Sequence, residues 1–251
     1  MLAGRPPPRI EDTVKIAEIM RAATMSKFGH EIVDGKKRYN APPVISGRGE
    51  DGKPLGDDHH GHAFWLPEDA DGDGAIDHIV VYAADGFGEE ARRGLDRVTR
   101  LWLDRPGRTG DDEDETADSG RKEWRLALEG FGKQADFQGA SPLLTPSKRW
   151  RSVTPYLMPW HEKKKMTWQD QIRQELAMRG SAEPETTLEP RLNPSDKRPV
   201  HFHRFRSRRG LRQPDTLGRM VELTFTDKVC GPLALGFGCH FGLGLFRTHP
   251  E

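Results

Sequence analysis

Residues 61–83 have the sequence GHAFWLPEDADGDGAIDHIVVYA, and this stretch carries the clearest fold signal in the chain. An apolar run at 62–66 and a β-branched run at 78–83 are separated by a segment rich in residues that tolerate turn conformations. Two strand-like runs joined by such a turn predict a β-hairpin. The flanking residues decide which elements accompany this hairpin.

On the N-terminal side, apolar residues at helical spacing predict a helix over 11–28, which Asp12 or Thr13 can cap. Residues 29–61 are broken by glycine and proline, so they predict a loop with one short strand around Val44 and Ile45. A helix that begins so early leaves only a stub in place of a first strand. We therefore expect the chain to begin inside a domain.

On the C-terminal side, helical spacing returns over 88–102 and residues 123–128 predict a further strand. The segment between them is strongly acidic near 107–120 and predicts a solvated excursion. Helix, strand, strand, helix, strand is the order of a ferredoxin-like unit that lacks most of its first strand.

The second half repeats the pattern. The sequence predicts a strand over 152–158, a helix over 167–178, a Pro- and Glu-rich linker over 180–197, and strands over 200–205 and 220–225. The predicted fold class is α+β, with tandem ferredoxin-like (RRM-like) domains. The first domain covers 1–140 and the second, which ends in a glycine-rich loop, covers 141–251.

Composition excludes several classes of protein. The 251 residues carry 39 basic and 39 acidic side chains, and no apolar run is long enough for a membrane span. The first residues lack the apolar core of a secretory leader, and two cysteines cannot build a disulfide scaffold, so a cytoplasmic protein is expected. The charge is uneven, with 16 basic and 25 acidic residues in 1–120 but 23 and 14 in 121–251. A basic half is compatible with a polyanionic partner or with a solvated surface.

Glycines punctuate the uncharged segment 231–246, GPLALGFGCHFGLGLF. Glycine lets a backbone approach a ligand closely and expose its N–H groups, which suits a binding loop. A buried, bulged pair of strands would produce the same composition. The residues alone leave both interpretations open.

Histidines cluster in the segment 58–62, DHHGH. Because strand side chains alternate, His60 and His62 would share a face, where one imidazole can accept a proton while the other donates one. Two imidazoles are also half of a metal site, and an exposed polar loop is the third interpretation.

Downstream, Asp69, Asp71 and Asp73 copy the first half of a calcium loop, but Val80 stands where the closing acid belongs. An acidic hairpin turn is the favoured interpretation there.

A basic segment at 198–212 contains six arginines and no acid. As a strand it would place His201, His203 and Phe205 on one face, and arginine interleaved with aromatics suits phosphate contact and base stacking. A second basic cluster, Lys163, Lys164 and Lys165, precedes the predicted helix. A solvated charge run is the competing interpretation.

Three segments, 61–83, WRSVTPYL at 150–157 and 231–246, together resemble the CRISPR repeat-processing endoribonucleases of the RAMP superfamily. The resemblance is to the Cas-six-like half of the fused subunit of type I-U (I-G) systems and covers about residues 5–247. It implies tandem ferredoxin-like folds and a glycine-rich loop that holds RNA. It also implies metal-independent cleavage, without cofactor, of precursor CRISPR RNA, in which a 2′-hydroxyl attacks the adjacent phosphate. The implied partners are the repeat, a Cas-five-like half and other type I effector subunits, and through them target DNA, with no membrane.

The resemblance assigns roles to individual residues. Base and acid fall on His60 and His62, with His78 as the next candidate. The glycine-rich loop that would contact RNA contains Gly231, Gly236, Gly238, His240, Gly242 and Gly244. Further RNA contacts are inferred from charge alone and fall on Lys163, Lys164, Lys165, Arg204, Arg206, Arg208 and Arg209.

Two alternatives remain beside a metal-independent ribonuclease. The chain could clamp an RNA hairpin without cutting it, or it could be a metal-dependent nuclease or calcium-stabilised protein that uses the histidines and the acidic turn. Sensitivity to chelator and integrity of the RNA distinguish these readings.

Overall fold

The computed structural model of the protein describes residues 1–49, 51–55, 61–103, 122–162, 166–206 and 213–249. Its mixture of helices and small antiparallel sheets agrees with the predicted α+β class. In the described residues, no sheet contains strands from both sides of residue 140. The tandem ferredoxin-like arrangement stays a prediction.

Within its described residues, the first half contains seven strands and three α-helices. In chain order these are β1 (Leu2–Ala3), α1 (Thr13–Met25), β2 (His30–Val33), β3 (Lys36–Tyr39), α2 (Pro43–Ser46), β4 (Phe64–Glu68), β5 (His78–Tyr82), α3 (Glu89–Asp96), β6 (Arg100–Leu103) and β7 (Lys122–Leu126). The strands form a β1-β7-β6 sheet and two hairpins, β2–β3 and β4–β5.

The second half is built around one five-stranded sheet. Its elements are β8 (Ser147–Ser152), α4 (Trp168–Met178), β9 (Thr186–Leu188), β10 (Glu222–Val229), β11 (Leu233–Ala234) and β12 (Leu245–Thr248), with the strand order β11-β12-β8-β10-β9. Ile172 and Leu176 of α4 are fully buried and pack with Trp150 and Leu223 of the sheet. A separate apolar cluster joins β4 to the second half through Leu66, Leu143 and Leu245, so the two halves share part of their core.

The predicted hairpin at 61–83 is confirmed as β4–β5. The two strands pair antiparallel in a register that sets Phe64 opposite Tyr82 and Glu68 opposite His78. The helix at 167–178 is confirmed as α4, and the Thr167 hydroxyl accepts a hydrogen bond from the Asp170 N–H at its N-terminus. Both elements depend on local signals, namely apolar and β-branched runs around a turn and a capping box.

The expected N-terminal stub forms the two-residue strand β1. Leu2 and Ala3 pair with β7, and the Leu2 N–H donates to the Asp77 carbonyl at 2.6 Å. Further along, Arg9 forms an isolated bridge with Ala75. The N-terminal segment therefore lies between β7 and the residues that lead into β5. Thr13 begins α1, but neither it nor Asp12 caps the helix with its side chain; the Asp12 carboxylate instead accepts from Lys15.

Three further element predictions are wrong in the first half. The segment 29–61 contains the β2–β3 hairpin, and Val44 and Ile45 lie in α2, because Pro42 and Pro43 start a helical turn that buries Ile45. Residues 100–102 belong to β6, since Leu101 pairs with Trp124 of β7 rather than continuing a helix.

Two strand predictions of the second half are also wrong. β8 ends at Ser152, and beyond it Tyr156 makes only a single bridge with Arg219, because Pro155 lacks the N–H that a continuous ladder needs. Residues 199–201 form a 3-10 turn, so the expected strand over 200–205 is absent from the described residues. The His203 N–H donates to the Glu11 carbonyl and thereby ties this segment to the start of α1.

The two halves are also joined by an ion pair. The Lys197 ammonium lies 2.5 Å from the buried Glu11 carboxylate, which also pairs with Arg9. Burial tends to raise the pKa of Glu11, but the hydrogen bond from Lys197 and the charges of Lys197 and Arg9 outweigh it, so this pKa is lowered.

Among the described helices, none has the length and apolar character needed to cross a membrane.

The glycine-rich segment makes close backbone contacts that exclude side chains. Gly236 has a φ of 85°, and a Cβ placed there would meet the Leu157 carbonyl oxygen and the Tyr156 ring. We expect Gly236→Ala to lower the free energy of unfolding by at least about 2 kcal/mol, since strain and overpacking add. Gly180→Ala is the matched control, because Gly180 has a φ of 65° with no atom near its Cβ position. Equal losses in urea titrations of the two variants would contradict the packing explanation.

Candidate functional site

Two histidines that are distant in sequence stack face to face. His62 lies two residues before β4, and its ring centroid is 3.9 Å from that of His240 with an interplanar angle of 5°. The other side of His240 stacks on Phe64 at 3.8 Å. His240 is therefore held between two rings, and its Nδ1 lies 3.2 Å from the Ala63 carbonyl oxygen.

A tight turn of the glycine-rich segment positions His240. Residues Cys239–Phe241 form a 3-10 turn between Gly238 and Gly242, whose φ values of 79° and 77° are in the left-handed region. Residues with a Cβ rarely adopt this conformation, so two glycines are needed for the chain to enter and leave the turn. The two glycines thus position the His240 imidazole rather than forming a loop that exposes its backbone to a ligand.

The glycine-rich segment is mostly inside the protein. Gly231, Gly236, Gly242 and Gly244 are buried. The backbone N–H groups of this segment donate within the chain, at Leu235, Gly236, Phe237, Cys239, Phe241, Gly242, Leu243 and Gly244. This favours the buried strand pair over an exposed phosphate-binding loop. Contact with RNA stays a prediction for Gly238 and His240, which are only half-buried.

A buried ion pair supports this turn from below. The Glu175 carboxylate accepts the Gly236 N–H at 2.8 Å and pairs with Arg179, which also donates to the Ala234 carbonyl. Arg179 lies 3.7 Å from the Cys239 sulfur. Burial raises the pKa of the Cys239 thiol to about 11, despite the nearby arginine, so Cys239 packs as a neutral thiol.

Arg206 extends toward the same place from the basic segment. Its guanidinium lies 3.7 Å above the Phe241 ring centroid, and its Nε donates to the Glu18 carboxylate of α1 at 3.0 Å. Arg204 lies nearby in sequence but donates to the Leu217 carbonyl. His203 is half-buried, and burial, with Lys15 adding to it, lowers its pKa. Only Arg206, of these three, lines the cleft beside the stacked histidines.

We name this depression, of about 890 Å³, the histidine cleft. His62, His240 and Phe241 form one part of its lining, and the β2–β3 hairpin and the loop that follows it form another. Among the described residues, the basic side chains of its lining are Arg21, Lys37, Arg38, Arg48 and Arg206, and the acidic ones are Glu31 and Asp51. This described lining has an excess of positive charge, which attracts anions.

His78 lies elsewhere. It is opposite Glu68, at the turn end of the β4–β5 hairpin, whereas Phe64 and Tyr82 mark the other end. At the rise of an extended strand, these ends are about 14 Å apart, so His62 and His78 cannot reach one phosphate together. His78 instead contacts Asp77 at 2.8 Å and Glu129 at 3.3 Å. Glu129 also pairs with the N-terminal ammonium of Met1, so His78 lies beside the N-terminus.

Several predicted residues lie outside the described residues, and the structure assigns them no position: His60, Lys163, Lys164, Lys165, Arg208 and Arg209. The prediction that His60 and His62 share a strand face is wrong for His62, because β4 begins at Phe64 and His62 lies in the bend before it.

The carboxylates of the acidic turn accept hydrogen bonds from backbone N–H groups of the same turn. Among the described residues, only Asp69, Asp71 and Asp73 bring three potential metal ligands within 4.8 Å of one another. Asp69 accepts the N–H groups of Gly72 and Gly74, and Asp71 and Asp73 each accept the N–H two residues ahead. This is the hydrogen-bonding of an ordinary polar turn. It agrees with the acidic-turn interpretation of the sequence.

Comparison with protein-family models, with curated proteins and with solved structures finds no match for this chain. His240 appeared in the sequence only as a member of the glycine-rich loop, and its pairing with residues at 62–64 has no local signal, because 177 positions separate it from Ala63.

Proposed function

We propose that this chain binds the repeat of precursor CRISPR RNA and cleaves it by metal-independent attack of a 2′-hydroxyl on the adjacent phosphate. In this proposal the product is the guide RNA, which stays bound in a cytoplasmic type I effector complex that includes a Cas-five-like half. The observation that carries it is the His62–His240 stack beside Arg206 in a basic cleft. These three side chains supply the two proton-transfer groups and the cation that the reaction requires.

The hydrogen bonding of His240 suggests how the roles divide. The Ala63 carbonyl oxygen can only accept, so a bond to it requires the proton on Nδ1 of His240. In the neutral ring this leaves the lone pair on Nε2, which then accepts the proton of the 2′-hydroxyl. His62 in its protonated form donates to the departing 5′-oxygen. Arg206 stabilises the negative charge that develops on the phosphate oxygens.

The chain order of elements in the first half supports the ferredoxin-like part of the proposal. Apart from β2, β3 and α2, the chain runs β1, α1, β4, β5, α3, β6, which is the β-α-β-β-α-β order of a ferredoxin-like unit, and β7 follows as an additional strand. β1–β7–β6 and β4–β5 are separate sheets, and the N-terminal segment hydrogen-bonds to residues 74–77, which lead into β5. Folds of this kind bind single-stranded RNA in RRM proteins.

A specific observation favours one alternative, a module that binds RNA without cutting it. His240 is sandwiched between His62 and Phe64 and is hydrogen-bonded to the backbone, and this arrangement also suits a histidine with a purely structural role. The basic cleft alone is sufficient for affinity, because phosphate neutralisation releases counterions whether or not cleavage follows.

Incubation of the purified chain with its host's repeat RNA in EDTA separates these functions. The proposal predicts a single cut that leaves a 2′,3′-cyclic phosphate and a 5′-hydroxyl, and no cut when the nucleotide before the scissile bond is 2′-deoxy. Intact RNA that nevertheless shifts on a native gel would establish the binding module. Cleavage that disappears with EDTA and returns with Mg²⁺ would overturn the proposed mechanism.

A further inference from the structure

The β2–β3 hairpin, His30–Tyr39, projects from the first half, and we name it the arm. In the described part of the chain, no third strand pairs with it. Its residues are largely exposed, including the apolar Ile32 at 66% and Val33 at 39%. An isolated two-stranded hairpin is marginally stable in water, so a surface of this kind commonly acquires a partner.

The arm has a well-defined tip and twist. Asp34 and Gly35 occupy the turn with φ values of 50° and 70°. Positive φ at both central positions is typical of the tight turn that matches the natural twist of a hairpin. The pairing register is continuous from His30 opposite Tyr39 to Val33 opposite Lys36. The side chains on each face therefore have specified neighbours.

One face of the arm combines aromatic rings with a cation. Directly opposed residues point to the same face, so His30, Ile32, Lys37 and Tyr39 lie together. The Lys37 ammonium lies 5.1 Å from the Tyr39 ring centroid, and the His30 ring meets Tyr39 edge-on at 6.2 Å. A flexible lysine can leave this ring to contact a phosphate and uncover a stacking surface for a nucleobase.

The arm also borders the histidine cleft, where it faces a set of fixed arginines. Lys37, Arg38 and Tyr39 are part of the cleft lining. Elsewhere in the lining, Arg48 donates to the Gly52 carbonyl at 2.6 Å and Arg21 to the Ser46 carbonyl at 2.5 Å. A guanidinium has five donors, so one that holds a carbonyl is still able to contact a phosphate. The charge across the cleft is complementary to a nucleic-acid backbone.

We infer that the arm holds a single-stranded RNA segment in the histidine cleft, with a base stacked on Tyr39 and an adjacent phosphate bound by Lys37. This rests on the proposed function and specifies the form of RNA recognised beside the reacting groups. Stacking on one aromatic ring needs an unpaired base, since paired bases in a helix have both faces covered. It is tolerant of sequence, because every base has a π-face.

Fluorescence anisotropy with a labelled, unstructured dodecamer of uridylate tests this inference. Tyr39→Ala is expected to weaken binding about tenfold, and Tyr39→Phe to bind as the wild-type protein does. Lys37→Ala is expected to lower the slope of log K against log salt by about 0.7. Lys122→Ala is the matched control, because Lys122 is exposed on β7 and does not line the cleft.

The outcomes separate the arm from the proposed catalytic function. Unchanged binding by Tyr39→Ala, or failure of the wild-type protein to bind the dodecamer, would overturn the role of the arm even if repeat RNA is cleaved. If Tyr39→Ala weakened binding to a blunt 12-base-pair RNA duplex as much as binding to the dodecamer, the requirement for an unpaired strand would be overturned. If the wild-type protein does not cleave the repeat but binds the dodecamer, and Tyr39→Ala weakens that binding, the nuclease proposal is rejected and the arm remains an RNA-binding surface.

Discussion

Replacement of His62 by alanine is expected to slow single-turnover cleavage of repeat RNA by a factor of about 100 or more. Loss of a positioned general acid or base typically costs two to four orders of magnitude. His62 lies at the cleft surface rather than in the apolar core, so the fold should survive the change. Binding of a 2′-deoxy repeat should stay close to that of the wild-type protein, because the lost interaction belongs to the transition state.

The matched control for this experiment is His78→Gln. His78 lies at the opposite end of the β4–β5 hairpin, so this variant should cleave at the wild-type rate. Added imidazole should partly restore cleavage to His62→Ala, which a merely structural histidine would not allow. A wild-type rate for His62→Ala, or an equal loss for His78→Gln, would remove the stacked pair from the mechanism.

Replacement of Arg179 by methionine is expected to lower the free energy of unfolding by about 3–5 kcal/mol, because it leaves a buried carboxylate without its partner. Arg179 and Glu175 are an i,i+4 pair on α4 whose side chains are only 16% and 7% exposed. Burial raises the pKa of Glu175 even with the arginine present. Urea denaturation of the two proteins measures the difference.

The chain contains a matched pair for comparison. Arg93 and Glu89 on α3 have the same i,i+4 spacing, but their side chains are 68% and 80% exposed. Arg93→Met should change stability by no more than about 1 kcal/mol, since solvent screens an exposed pair. Adding Glu175→Gln to Arg179→Met should restore part of the loss, because a neutral amide still accepts the Gly236 N–H. Equal losses for Arg93→Met and Arg179→Met would contradict the role of burial.

The elements that were predicted correctly depend on residues close together in sequence. The β4–β5 hairpin follows from an apolar run and a β-branched run on either side of a turn-forming segment, and α4 begins directly after Thr167, which caps it. The turn Asp69–Asp73 is stabilised by hydrogen bonds that span two to five residues. For such features a short window of sequence contains nearly all of the interactions involved.

The predicted strand at 200–205 is wrong because the conformation of this segment depends on contacts with residues distant in sequence. Its alternating aromatic and basic side chains fit a strand, but a strand also needs an edge with which to pair. The structure instead ties this segment to α1, through the Glu11 carbonyl and the Glu18–Arg206 contact. The short β1 was missed because pairing over two residues leaves no periodic pattern.

By itself, the sequence determined the α+β class, the central hairpin, the acidic turn and a concentration of positive charge in the second half. Each of these follows from local spacing or from composition. Only the tertiary structure decided which interpretation of the glycine-rich segment to favour, because burial of its backbone N–H groups depends on Glu175, Leu157 and other distant residues. The histidine cleft was likewise decided by packing, since His240 reaches His62 only when the last strands fold against the first half.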